Sequence, residues 1–509
     1  MGTMFAADTL RGPSIDWLAL SPLFVLLGAA MVLLLAGSLA PRLPRGSEAW
    51  FTVAASIAAS VMAVVLWHRV DIHGPSTLVG GAIALDHYAL WMTIVICIGI
   101  ALVALVTDGY VRREGLEGPE IYALYMLCAV GGIVMSASND LIVLFLGIEI
   151  LSIALYVMAA SHRKRVESQE AGIKYFVLGG FSSAFFLYGV ALIYGGTGST
   201  NFTKIVAAFN STVDLQRHDA MVLAGIAMLL VGLGFKTSTA PFHFWTPDVY
   251  EGAPTPVTGF MASAAKAAAF AALLRVLMVA LPHWRDDYRP VIWALAVLTL
   301  ITGAVMAIIQ SNVKRMLAYS SINHAGFMLV GVEAAAHLAG NPSPGRGVGA
   351  VMLYLMIYTV LIIGTFAVVA YVGRTGDDAT DIGSFRGLAH NRPVLAACFT
   401  VLLLAQAGVP FTSGFVAKFG VIQAATEQHS YALAIIAMIS AVIAAFLYLR
   451  IMVSMWIADP EAGDEVRERV RVPWSGVVVI GASVLFTIVV GLFPGWLISL
   501  TDTVTNFAR

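Results

Sequence analysis

The chain has 509 residues, of which 59% are hydrophobic and 12% charged, and its mean hydropathy is +0.86. Soluble domains carry about 25% charged residues, so the composition excludes a soluble globular protein and predicts an all-α, polytopic membrane protein. The 29 basic and 30 acidic residues nearly balance, which argues against a nucleic-acid-binding protein. The three cysteines lie far apart in apolar runs and lack the spacing of a metal site.

Apolar runs long enough to cross a bilayer predict about fourteen transmembrane helices. The loops between them are short, and none contains a nucleotide-binding loop or the spacing of a haem or iron–sulfur site. In chain order the predicted spans are residues 17–37, 49–67, 87–107, 119–136, 139–160, 172–195, 219–246, 254–282, 290–311, 313–333, 349–373, 392–426, 430–458 and 473–497.

Basic residues are distributed unevenly between the predicted loops. Odd-numbered loops hold fifteen Lys and Arg residues, among them Lys314, whereas even-numbered loops and the two tails hold eight. Because cytoplasmic loops are enriched in basic residues, the odd loops are expected in the cytoplasm and both termini outside.

Besides Lys314, Arg315 and Arg392, which lie at span boundaries and are counted with the loops, six basic residues fall inside the predicted spans: Lys174, Lys236, Lys266, Arg275, Lys418 and Arg450. A charge at the centre of a membrane helix costs roughly 2.5–3.5 kcal/mol even on a lenient scale, so each requires an explanation. Arg275 and Arg450 lie near span ends, where long side chains reach the membrane surface, and a structural role is favoured. Lys174 also lies near a span end, and there a structural and a functional role are equally open.

The remaining three lysines lie deeper, and Glu149 is the only acid predicted deep in a span. One acid cannot neutralise three lysines, so a purely static set of ion pairs leaves two of them unpaired. A buried lysine without a partner releases its proton more readily, as a proton carrier must. Static ion pairs are the structural alternative. For His324 alone, in the tenth span, a hydrogen-bonded core histidine is favoured.

Two predicted spans are interrupted by proline or glycine close to a lysine. Span 7 has Pro241 after Lys236, and span 12 has Gly408 and Pro410 before Lys418. The two spans are five apart and therefore run in opposite directions, which predicts two inverted five-helix repeats, spans 4–8 and 9–13. The corresponding divisions are residues 1–118 for the first three helices, 119–282 and 283–458 for the repeats, and 459–509 for the C-terminal loop and helix.

Four stretches of the sequence resemble a known family: KTSTAPFHFWTPDVYEGAPTPVTGFMASAAK, NVKRMLAYSSINHAGFM, GIEILSIALYVM and AGVPFTSGFVAKFG. They are similar to the antiporter-like proton-pumping subunits of respiratory complex I, the NADH–quinone oxidoreductase, and the likeness covers spans 4 to 13. Fourteen spans, and a lysine rather than a glutamate in span 12, favour the N-type subunits of the bacterial enzymes.

The resemblance implies seven residues of a proton path: Glu149, Lys174, Lys236, His243, Lys266, His324 and Lys418. Glu149 is implied to pair with Lys236, and Lys266 to be the central proton carrier. Lys418 is implied to lie near the outer exit, with His324 between the last two lysines. Lys174 matches a lysine of span 6 in these subunits. His243 belongs to the signature beside the cytoplasmic opening, although a plain hydrogen bond within its loop is the alternative.

The function implied by the resemblance is proton movement from the cytoplasm to the outside of the bacterial plasma membrane, driven by quinone reduction. In this family NADH, FMN, iron–sulfur clusters and quinone belong to partner subunits, so no cofactor and no metal is expected in this chain. The expected partners are other membrane subunits of the complex and the lipid bilayer. Two alternatives share the motifs or the charges: a subunit of a sodium/proton antiporter or membrane-bound hydrogenase, and a scaffold with static ion pairs.

Overall fold

The computed structural model describes residues 15–39, 44, 46–210, 219–340, 345–373, 375–377, 379–458 and 471–508. The first eleven helices of this part of the chain are α1 Ser21–Leu39, α2 Ser47–His73, α3 His87–Glu114, α4 Glu120–Ala137, α5 Leu141–Ala159, α6 Val166–Thr197, α7 Phe202–Asn210, α8 Asp219–Thr237, α9 Trp245–Gly252, α10 Thr255–Phe260 and α11 Lys266–Arg275. The next nine are α12 Arg285–Ile308, α13 Val313–Ala336, α14 Arg346–Val372, α15 Leu388–Asn391, α16 Pro393–Ala407, α17 Ser413–Glu427, α18 Tyr431–Trp456, α19 Trp474–Leu492 and α20 Gly495–Thr503. A short antiparallel hairpin, β1 Ser76–Leu78 with β2 Ile83–Leu85, joins α2 and α3.

Within the described ranges, twelve helical segments are long and apolar enough to cross a membrane. Helices form from these apolar runs because a helix satisfies every backbone polar group within its own segment. The other two predicted spans correspond to α13, which carries several polar residues, and to the pair α16–α17, in which each half has 15 residues. The prediction of an all-α membrane fold with about fourteen spans is confirmed.

Both predicted helix interruptions are present. In span 7, α8 ends at Thr237, and Ser238 adopts a left-handed conformation with φ of 60° before α9 begins. In span 12, α16 ends at Ala407, and Gly408 turns the chain with φ of 87°. A Cβ on Gly408 would also lie 2.9 Å from the Cδ of Lys418. Glycine is therefore favoured here by the backbone and by the close approach of the lysine.

The core of the molecule lies in the helices that follow the first interruption. The segment Thr255–Ala280 contains α10, α11 and two π-helical turns, and every residue of its 18-residue apolar stretch is buried. In α14, 94% of the corresponding stretch is buried. In α1 only 22% is buried. Helix α13 packs against α12, α14, α17 and α18. Side chains of spans 8, 10, 11, 12 and 13 consequently meet in the interior.

Candidate functional site

Lys236 lies in the last turn of α8, where the helix stops before the interruption, and its side chain is buried. Its Nζ donates hydrogen bonds to the Ser152 hydroxyl at 2.6 Å and the Tyr156 hydroxyl at 3.4 Å, both on α5. The amino group also faces the rings of Tyr156 and Tyr175, whose centroids are 5.5 and 5.9 Å away. Its close partners are therefore neutral groups.

Glu149 lies on α5 one turn before Ser152 and is partly buried. Its Oε1 accepts a hydrogen bond of 2.5 Å from the Ser183 hydroxyl of α6. In the described part of the chain no carboxylate oxygen lies within 4.0 Å of Lys236 Nζ. Glu149 and Lys236 are thus not in direct contact. Ser152, one turn after Glu149 on α5, is the residue that contacts the lysine.

Lys266 begins α11 directly after the π-helical turn Met261–Ala265. Such turns are frequent at functional sites. Lys266 Nζ donates to the main-chain oxygen of Ser321 at 2.9 Å and also forms a hydrogen bond with the Ser321 hydroxyl. Because Ser321 belongs to α13, these bonds connect span 8 with span 10.

His324, also on α13, is the centre of a buried hydrogen-bond network. Its Nδ1 lies 2.7 Å from the Tyr354 hydroxyl of α14, and its Nε2 lies 3.3 Å from the Tyr448 hydroxyl of α18. The Tyr448 hydroxyl contacts the Ser320 hydroxyl at 2.6 Å. Ser320 in turn donates to Oε1 of Gln406 at 3.3 Å. The network therefore links α13, α14, α16 and α18.

Lys418 completes this network at the second helix interruption. Its Nζ donates to the main-chain oxygens of Gln406 at 2.8 Å and Ala407 at 3.0 Å, the last residues of α16. The amino group also lies 4.9 Å from the ring centroid of Phe327. The Gln406 amide donates to the Thr365 hydroxyl at 2.6 Å. Gln406 thus contacts Lys418 through its main chain and Ser320 through its side chain.

The predicted path residues form two groups in the described structure. The first contains Glu149 and Lys236, and the second runs from Lys266 through His324 to Lys418. Two buried tyrosine hydroxyl groups lie near Ser321 without a hydrogen bond of 3.5 Å or less among the described residues. Tyr250 packs against Trp245 beside the first group, and Tyr358 packs against His324 in the second. Buried polar groups of this kind are commonly satisfied by ordered water.

Lys174 lies outside both groups, near the start of α6, with 40% of its side chain exposed. It contacts Glu170 at 2.7 Å and Asp248 at 2.8 Å. Arg315 donates at 2.8 Å to both Asp248 and Glu251. Burial raises the pKa of the Asp248 carboxyl, but hydrogen bonds from Lys174 and Arg315 outweigh burial and hold this pKa below its ordinary value. The acidic α9 segment is therefore held by two cations.

His243 lies in the interruption between α8 and α9 and is buried. Its ring stacks on Phe244, with the two centroids 4.7 Å apart. Its Nδ1 has no hydrogen-bond partner in the described ranges. The ring also interacts with the main chain of Pro241, two residues earlier, so a plain hydrogen bond within its loop stays the alternative.

Comparison with known proteins places these residues in a family. Residues 138–444, which include all seven predicted path residues, match the family model described as NADH:quinone oxidoreductase/Mrp antiporter, transmembrane. The chain belongs to this family. The resemblance seen in the sequence motifs is confirmed.

Individual members of the NADH:quinone oxidoreductase/Mrp antiporter family are similar along nearly the whole chain. NADH-quinone oxidoreductase subunit N 3 of Streptomyces griseus is 39% identical over 99% of this chain and 96% of its own length. A chain of respiratory complex I from Thermus thermophilus is 30% identical with a TM-score of 0.77, covering 94% of this chain and 99% of its own. A chain of an archaeal membrane-bound sulfane sulfur reductase is 26% identical with a TM-score of 0.82, covering 96% and 97%.

In this family member Arg275 has the structural role favoured from the sequence, but its side chain does not reach the membrane surface. Its side chain is fully buried rather than directed to the membrane surface, and NH2 donates to both carboxylate oxygens of Asp86 at 2.7 and 2.9 Å. Asp86 caps α3 by accepting from Ala89 N. A capping aspartate was a recognisable sequence signal, but its pairing with Arg275 was not. Arg450 has the predicted structural role, because it donates to main-chain oxygens at the end of α12.

Sequence reasoning also placed Lys314 among the loop cations, and this placement is wrong. Lys314 is fully buried, donates to the main-chain oxygen of Ala253 at 2.6 Å, and lies 3.5 Å from the Asp377 carboxylate. Asp377 is buried beside Arg113 and Arg165 as well. Burial raises the pKa of this carboxyl, but the neighbouring cations outweigh it and keep the pKa below its ordinary value. This cluster is a static ion network that joins the end of α3 and the start of α13 to Asp377.

Proposed function

We propose that the chain is a proton-translocating subunit of the membrane arm of a bacterial NADH–quinone oxidoreductase. One observation carries the proposal: the three deep lysines contact only neutral oxygen atoms. The Nζ atoms of Lys236, Lys266 and Lys418 donate to hydroxyl and main-chain oxygens, with no carboxylate oxygen of the described residues within 4.0 Å. A lysine held in this way can lose its proton without leaving a buried carboxylate uncompensated.

The other buried cations provide the contrast. Arg275 is paired with Asp86, and Lys314 lies beside Asp377. Breaking a buried ion pair is costly, by about 3–5 kcal/mol, so such pairs suit a static structural role. The chain thus contains static cations with carboxylate partners and a separate set of lysines suited to exchange protons.

The proposed path begins at the face where α13 starts, which the distribution of basic residues assigns to the cytoplasm. Protons pass the group of Glu149 and Lys236, then Lys266, then the network of His324, and reach Lys418. Glu149 is the acid that influences the charge of Lys236 without contacting it. Ordered water at the unpartnered buried hydroxyls would connect the two groups.

Movement of each proton against a membrane potential requires an external driving force. Against 100 mV, one elementary charge costs about 2.3 kcal/mol. We propose that quinone reduction in partner subunits supplies this energy, and that NADH, FMN and iron–sulfur clusters are bound there. Homologous chains occur in multi-subunit respiratory complexes, which supports membrane subunits as the partners. The proposed location is the bacterial plasma membrane, with both termini outside.

Two variants in the complete complex test the proposal. Lys266→Ala and Glu149→Ala should abolish NADH-driven proton translocation in vesicles while the complex still assembles, because neither side chain has a charged partner in contact. Lys204→Ala, which removes an exposed lysine of α7, is the control and should pump normally. Full pumping by both test variants would refute these roles, and loss of assembly in both would favour a scaffold.

A second candidate function is a subunit of a sodium/proton antiporter, because the matched family also includes the Mrp antiporters. Such a protein would exchange ions without redox partners. The two functions are separated by vesicles containing the purified assembly without NADH. A sodium-dependent pH gradient there would favour the antiporter, whereas a gradient formed only on NADH addition favours the respiratory complex.

A further inference from the structure

Glu333 lies near the end of α13 and is buried, with 3% of its side chain exposed, although sequence reasoning gave it no role. The hydroxyl of Ser430, in the turn between α17 and α18, lies 3.0 and 2.9 Å from its two carboxylate oxygens. Nε2 of His337 lies 3.0 Å from Oε1. A buried carboxylate is costly unless it is hydrogen-bonded, and these two groups supply the bonds.

His337 connects Glu333 with the surface of the protein. Its side chain is 21% exposed, and its Nδ1 lies 3.3 Å from NH1 of Arg289. Because a guanidinium is only a donor, Nδ1 must be the acceptor, and the ring proton is on Nε2, facing Glu333. Arg289 also lies 3.8 Å from the exposed Asp286. The guanidinium therefore has a second partner within reach on the solvent side.

The cluster of Glu333, His337 and Ser430 lies beyond Lys418, near the ends of α13 and α17, where a proton from Lys418 would leave the protein. Lys418 and Glu427 are nine residues apart on α17, which corresponds to about 13.5 Å at 1.5 Å per residue. Ser430 lies three residues after the end of α17 at Glu427. Between the level of Lys418 and that of Ser430, α13 approaches α17 closely at Gly331, where a Cβ would lie 3.0 Å from a methyl group of Val421. Both helices thus lead from the Lys418 level to Glu333.

We propose that Glu333 is the group that receives the proton from Lys418 and releases it at the face where α13 ends, with Ser430 and His337 as positioning residues. This inference rests on the proposed function. The Lys418 ammonium loses a proton through water and becomes an amine, and the Glu333 carboxylate becomes a carboxylic acid. The acid then gives its proton to water at the His337 rim and returns to carboxylate.

The test compares Glu333→Gln and Glu333→Asp in the complete complex, with proton translocation measured in vesicles and normalised to the amount of assembled complex. Glutamine keeps the hydrogen bonds of the side chain but has no exchangeable acidic proton, whereas aspartate keeps the acid and shortens its reach. We expect Glu333→Gln to lower the pumping rate at least threefold and Glu333→Asp to lie between it and the parent. A purely structural role would give the opposite order, so Glu333→Gln pumping as well as or better than Glu333→Asp would overturn the proposal.

Two further variants make the outcome specific. Glu427→Gln removes a carboxylate on the same face that is 39% exposed and paired with Arg346, and it should leave pumping unchanged. Lys266→Ala in the same assay tests the underlying function, and full pumping by this variant would refute the proposed function. If Lys266→Ala is blocked while Glu333→Gln pumps fully, only the role of Glu333 is refuted. If the Glu333 variants do not assemble, Ser430→Ala decides, because it removes the hydroxyl from both carboxylate oxygens, and an unchanged rate would overturn the proposal.

Discussion

Lys418 closes the broken end of α16 by donating from Nζ to the main-chain oxygen of Gln406 at 2.8 Å. The last carbonyl groups of a helix have no partner within the helix and carry partial negative charge, so a cation is favourable there. The second bond, to Ala407 at 3.0 Å, strengthens this cap. The same side chain therefore stabilises the interruption and presents an exchangeable proton to the network.

The two roles of Lys418 can be separated by Lys418→Arg. Arginine keeps a permanent charge and its donors, so the complex should assemble, but the side chain cannot release a proton and pumping should fall at least tenfold. Lys418→Ala should also reduce assembly, because each unsatisfied buried carbonyl costs about 1–3 kcal/mol. Lys204→Arg on the exposed surface of α7 is the matched control. If Lys418→Arg pumps at the rate of the parent complex, Lys418 has only the capping role and does not transfer protons.

Gln406→Leu tests the connection between Lys418 and His324. The change removes the side-chain bonds to Ser320 and Thr365 but leaves the main-chain oxygen that binds Lys418. We expect an assembled complex whose proton translocation is slower by about tenfold, which corresponds to roughly 1.4 kcal/mol in the rate-limiting barrier. Gln423→Leu, on the more exposed part of α17, should have no effect. Equal rates in the two variants would remove Gln406 from the path.

Asp86→Asn tests the buried pair with Arg275. Asparagine caps a helix about as well as aspartate, so the change removes the charge and keeps the cap of α3. An unpaired buried guanidinium should cost about 3–5 kcal/mol, and less assembled complex should be recovered, while pumping per assembled complex stays normal. Asp140→Asn is the control, because Asp140 caps α5 without an ion pair among the described residues. Equal recovery of both variants would show that the pair contributes little.

The depth of Lys236, Lys266 and Lys418 could be predicted because long apolar runs fix where a membrane helix begins and ends. Both interruptions followed from proline and glycine chemistry. Whether Glu149 contacts Lys236 directly could not be predicted, because the distance between side chains of separate helices depends on packing. The side chain of Glu149 bonds to Ser183 instead.

The misplaced cations have a common physical reason. Asp86 and Arg275 are 189 positions apart, and Asp377 lies 63 positions after Lys314. Partners at such separations leave no local pattern in the sequence. A cation near a span end was therefore assigned to the membrane surface or a loop, although a distant carboxylate makes its burial possible.

Asp248→Asn tests the network at the acidic α9 segment through pH. The pKa of Asp248 in the folded protein is held below its ordinary value by Lys174 and Arg315. Stabilisation from this carboxylate is therefore fully present above about pH 4, the usual range of a free aspartate, and is lost as the pH falls through the lower pKa of the folded state. Below about pH 4 the parent complex should lose thermal stability more steeply than Asp248→Asn, which lacks the contribution at every pH. Glu117→Gln, at an exposed residue with no ion pair in the described ranges, should keep the parental slope, and equal slopes in all three proteins would refute the role of Asp248.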